Sequence, residues 1–152
     1  RRFDAGVPVN TMGTAFWAKA HGASTHFPLA LILCSALFDA AGFALNRRAI
    51  VRELHVAGYW SLLSGAISSL PAVYSGLLLT KGSLLGHGVL RLHHLFVWPA
   101  FALLVALATW RAMVGRQMTR RALGVYLAGA ALTSVLLIGA GYWGGELLIV
   151  AQ

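Results

Sequence analysis

A chain of 152 residues has room for one domain, and with 59% apolar and only 11% charged residues it cannot wet the surface of a water-soluble globule of that size. Its net charge of +8 is no nucleic-acid footprint, because the basic residues gather at two linkers between apolar runs, and catalytic triads, phosphate-binding loops and nucleic-acid modules are absent. The single cysteine, Cys34, sits in an apolar run and excludes both a disulfide framework and a covalent c-type haem motif.

Residues Arg1 to Ala20 set Phe16 and Trp17 beside Lys19 and read as a short N-terminal interfacial segment, which leaves 21–152 as the transmembrane domain. No methionine opens the chain, as in a processed or partial sequence, and these residues do not resemble a signal peptide. Four apolar stretches follow, each long enough to cross about 30 Å of hydrocarbon: Phe27 to Leu45, His55 to Leu79, Leu92 to Met113 and Ala122 to Ile149. Short linkers force neighbouring helices to run antiparallel, so the expected fold is an all-α, integral membrane, up-down four-helix bundle.

The first span opens at His26-Phe27-Pro28, where a proline in the first turn costs no hydrogen bond, and Asn46 closes it. Span two carries Gly58, Gly65, Ser68, Ser69 and Gly76, and span four carries Gly124, Gly129, Gly139 and Gly141. Such faces allow close helix packing or let a flat cofactor lie against the backbone. Pro71 and Pro99 should kink spans two and three. Span three is best begun near Leu92, because a start at Leu84 would sink Arg91 about 10 Å into the helix.

Arg47, Arg48 and Arg52 flank the first linker and Arg111, Arg116, Arg120 and Arg121 the third, whereas the second has Lys81 and Arg91. By the positive-inside rule, linkers one and three are cytoplasmic, and both termini lie on the opposite side of a multi-pass protein. The expected location is a bacterial inner membrane with periplasmic termini. His21, His26, His87, His93 and His94 then collect on the non-cytoplasmic side, level with Trp143 and Glu146, and His55 alone lies on the other.

Imidazoles facing one another across a glycine-relieved bundle, with an arginine nearby, are what a non-covalent b-type haem requires. His26 and His94 form the first-choice axial pair to the haem iron, with Arg91 for a propionate and His21, His87 and His93 as further cofactor-binding candidates. The competing reading is that interfacial histidines anchor helix ends to headgroups and backbone. A zinc site would draw on His87, His93, His94 and Glu146, but no i, i+4 histidine pair exists. The deep acid Asp39 reads as a structural hydrogen-bonding group meeting Tyr59 or another group on span two, and one buried acid does not make an ion pathway.

The stretch from His21-Gly-Ala-Ser-Thr-His26-Phe-Pro-Leu-Ala-Leu to Leu37-Phe38-Asp39 resembles the opening of a bacterial four-helix membrane family known as domain of unknown function 2231, with its HPxxxHFP motif. Tyr74-Ser75-Gly76, a histidine opening span three, here His94, and Tyr142-Trp143-Gly144-Gly145-Glu146-Leu147, with its GGEL motif, extend the resemblance over nearly all of the chain from His21. Gly22 replaces the usual proline, and the histidine that often follows the GGEL-like segment is missing from Leu148 to Gln152. Similar segments occur beside cytochrome c and Rieske domains, so the resemblance implies a place in membrane electron transfer.

The expected function is therefore a cytochrome b-like subunit of a respiratory or redox complex, holding haem b by bis-histidine ligation near the non-cytoplasmic face. A quinone site or a neighbouring subunit would complete its electron path, and its partners are the lipid bilayer and a larger membrane complex or periplasmic redox protein. The alternative is a cofactor-free membrane anchor or accessory subunit of a larger complex. In either case the chain reads as a non-catalytic subunit with no catalytic residues.

Overall fold

The computed structural model describes residues 11–45, 48–115 and 118–150, and among these the chain forms four helices: α1 (Thr11–Ala44), α2 (Arg48–Leu79), α3 (Gly88–Val114) and α4 (Arg120–Val150). All four contain stretches long and apolar enough to cross a membrane: Ala15–Ala44, Ala49–Leu79, Gly88–Val114 and Arg120–Leu147. The fold is the expected all-α four-helix membrane bundle. Large apolar side chains cover its outside as well as its interior, with Leu37, Ile67, Val125 and Val135 each more than 60% exposed, as a lipid-facing surface requires.

Capping interactions shape the helix ends. After α2, Lys81 and Gly82 both take positive φ, and Gly82 N–H bonds back to the Leu77 carbonyl at 2.8 Å, which closes the helix with a left-handed turn. Gly115 ends α3 in the same region of φ and donates to the Arg111 carbonyl. Thr119 starts α4 by accepting the Ala122 N–H on its hydroxyl oxygen.

Helix boundaries differ from the sequence expectation in three places. Helix α1 begins by Thr11 and runs unbroken, so residues 11–20 are helical and Pro28 lies well inside the helix. The carbonyl of Gly22, near this proline, accepts from both the Thr25 hydroxyl and the His26 ring. Helix α3 starts at Gly88 rather than near Leu92, with His87 as its N-cap, and this places Arg91 exposed in the first turn. Helix α2 starts at Arg48, not His55, although its end at Leu79 is as expected. Asn46, Arg47, Arg116 and residues 1–10 lie outside the described residues.

Helix α1 packs along α2 and α3 along α4, and the two hairpins meet more sparsely. The apolar core, centred on Ile32, Leu62, Leu104, Leu107, Tyr126 and Ala130, fills the middle of the bundle. Two polar centres flank it, one toward each end.

Candidate functional site

Toward the end where α1 and α3 begin and α2 and α4 finish, the hairpins part around a cavity of about 520 Å³, within the range of small-molecule and cofactor sites. His21, His26, His93 and His94 all line it, and the rest of the wall is mainly aliphatic, glycine and aromatic. His87, Arg91 and Glu146 do not line it.

Hydrogen bonds fix which ring nitrogen each histidine presents. His21 Nδ1–H donates to the Ala72 carbonyl on α2 at 2.9 Å, with Ser75 Oγ 3.3 Å away; that hydroxyl donates to the Pro71 and Ala72 carbonyls. His93 Nδ1–H donates to the Ala140 carbonyl on α4 at 2.8 Å. A carbonyl can only accept, so in the neutral ring the Nε2 of both histidines keeps its lone pair. Such a Nδ1–H to carbonyl bond is what typically orients a ligating imidazole and raises its basicity. The two rings stand 6.4 Å apart between centroids, nearly perpendicular.

Glycines make room for both rings. A Cβ at Gly76 would lie 3.0 Å from His21 Cε1, and one at Gly144 would lie 3.3 Å from the His93 ring. The small-residue faces of spans two and four thus seat histidines here, while Gly139 admits Phe96 and Gly129 admits Leu107.

His26 and His94 are arranged differently. His26 is exposed and its Nδ1–H donates to the Gly22 carbonyl within its own helix at 2.7 Å. His94 is buried, but its Nδ1 accepts the Gly86 N–H at 3.2 Å, so in the neutral ring its proton is on Nε2, the reverse of His21 and His93. His93, His94 and Trp98 form a run of rings with centroids about 6 Å apart. Among the described residues no group of three or more His, Cys, Asp or Glu could hold a metal ion, so the zinc reading has no site there.

The second polar centre lies beyond the core. Asp39 is fully buried and accepts from Arg111 through both oxygens, at 2.7 and 3.0 Å, and from His55 Nδ1–H at 2.7 Å. Arg111 also donates to the His55 carbonyl at 3.3 Å, stacks 4.7 Å above the Tyr126 ring and leaves its Nε without a partner. Tyr126 bonds Ser35 at 2.6 Å, and Ser35 donates to the Gly58 carbonyl. All four helices meet at this centre. The sequence reading of Asp39 as a group hydrogen-bonded to span two holds, with His55 as a partner there, and what it missed is the pair of bonds from Arg111 on α3. Arg111, expected beside the third linker, is wholly buried.

Four apolar spans, both hairpins and two internal polar centres define a multi-pass helical membrane protein. The family model for the predicted membrane proteins of DUF2231 matches residues 19–152, and the chain belongs to that family. No curated protein and no solved structure matches it.

Proposed function

We propose that the cavity between the hairpins binds a b-type haem with His21 and His93 as its axial ligands. The protein would then be a membrane electron-transfer subunit, set in a bacterial inner membrane with this end on the periplasmic side, an orientation that the positive-inside bias of the sequence supports. The observation that carries this reading is the His21–His93 pair, two rings on opposite hairpins, each with Nδ1–H bonded to backbone and Nε2 unprotonated in the neutral ring. The two ring centroids lie 6.4 Å apart.

The axial assignment therefore moves from His26 and His94 to His21 and His93. His94 holds its proton on the nitrogen that would have to bind iron, and His26 is tied to its own helix at an exposed position. Two protein ligands suffice for haem, and the His21–His93 pair supplies two. The bound haem would supply one-electron chemistry; with both axial positions filled by histidine it would pass electrons rather than bind oxygen. The chain's own residues orient the ligands, through the Ala72 and Ala140 carbonyls, and exclude water with an aliphatic wall. A quinone, a larger membrane complex or a periplasmic redox protein would complete the path.

Titration of the haem-free protein in detergent with haemin tests the proposal. Saturation at one equivalent per chain, with a Soret band, is expected. A folded chain that gives no Soret band overturns it and leaves the cofactor-free accessory subunit.

A further inference from the structure

Polar groups and nearby cations stand at the loop end of the cavity. Near the α2–α3 loop it is lined by Thr80 and His94, with the exposed cations Lys81 and Arg91 on the same end of the bundle. Seven to ten residues beyond His94 on α3, about 10–15 Å deeper, the lining includes Phe101, Leu104 and, from α4, Leu137, with Ser69 on α2. A ligand bearing carboxylates on one edge has one favourable orientation in such a space.

His94 differs from the other histidines of the lining in that the backbone sets its ring proton on Nε2. Gly86 N–H occupies its Nδ1, and the loop that carries Gly86 is held to α3 a second time by the Trp98 indole, which donates to the Leu84 carbonyl at 2.6 Å. His94 is buried and lines the cavity together with His21, His26 and His93, whose Nε2 atoms keep their lone pairs. The lining thus sets one Nε2–H, that of His94, among three histidines, His21, His26 and His93, whose Nε2 keeps its lone pair.

We propose that His94 donates its Nε2–H to a carboxylate of the bound porphyrin, setting the acidic edge toward the 80–87 loop and the apolar edge toward Phe101 and Leu104. This rests on the haem reading above. It gives His94 a binding role distinct from axial ligation, and it puts the carboxylate contact on His94 rather than on Arg91, which stands outside the lining.

Haemin and haemin dimethyl ester, which lacks the carboxylate charge, separate the two ideas when each is titrated into the full-length protein in detergent. The wild type should prefer the free acid by about tenfold or more, the usual worth of a hydrogen bond to a charged group. His94→Leu should bind both porphyrins alike, and His94→Gln, whose amide can accept from Gly86 and still donate, should keep the preference. Arg91→Ala should keep it as well. No preference in the wild type, a preference that survives His94→Leu, or one lost in Arg91→Ala and kept in His94→Leu overturns the role of His94 while leaving haem binding intact. If the wild type binds neither porphyrin, the haem reading falls and this inference with it. Should His94→Leu fail to fold, the wild-type and His94→Gln preferences decide.

Discussion

Replacing Asp39 by leucine should be the most damaging single change in the bundle, and its magnitude follows from what is left behind. Asp39→Leu removes three charge-assisted bonds, of 2.7, 2.7 and 3.0 Å. A guanidinium with no exposure is left with one carbonyl at 3.3 Å and the face of Tyr126. Removing one partner of a buried ion pair costs about 3–5 kcal/mol, and an arginine cannot shed its charge, so the upper end applies. Arg111→Met should cost less, about 3 kcal/mol, because Asp39 keeps the His55 bond and a carboxyl can take up a proton. The double variant should recover most of the loss, since two apolar side chains of similar volume replace a buried pair nearly neutrally. Unfolding in mixed micelles by sodium dodecyl sulfate, followed by tryptophan fluorescence, gives the three free energies of this cycle. Losses that simply add in the double variant would refute the account of this centre as a coupled ion pair.

Other substitutions test the packing around both centres. Gly58→Ala should destabilise the fold, because a Cβ there would lie 2.5 Å from Asp39 Oδ2; the same unfolding assay reads it, and a neutral outcome would mean the carboxylate shifts freely. Ser35→Ala and Tyr126→Phe should each cost about 1 kcal/mol, and the pair together less than the sum, since both break the same 2.6 Å bond. Gly76→Val should push His21 off the Ala72 carbonyl and weaken haem binding in the haemin titration at least tenfold, whereas Gly124→Val, outside the cavity lining and with open space around it, should leave binding unchanged.

The fold was legible because a bilayer demands long apolar runs, and four of them separated by short linkers leave little else to build. Clustering of five histidines at one end was legible too, since it follows from span order alone. Which of them face inward was not. His93 and His94 are neighbours on one helix turn, and the sequence does not say where α3 begins; its start at Gly88 rather than Leu92 sets which ring meets His21 and which meets the loop. The pairing of His21 with Gly76 and of His93 with Gly144 could have been sought, because each glycine falls in a motif already picked out, Tyr74-Ser75-Gly76 and Trp143-Gly144-Gly145. Arg111 was hidden for another reason. An arginine at a span end reads as a cation reaching for the interface, and its partner Asp39 is 72 residues away in sequence.

The central claim is that His21 and His93 together hold a haem, and a reduced-minus-oxidised optical spectrum tests it most directly. It should be recorded on the purified wild type and on His21→Ala, His93→Ala, His26→Ala and His94→Ala. The account predicts a b-type spectrum in the wild type that is lost in His21→Ala and His93→Ala and survives in His26→Ala and His94→Ala. A colourless, folded wild type purified under haem-replete conditions, or a spectrum lost instead in the His26 and His94 variants, would contradict it.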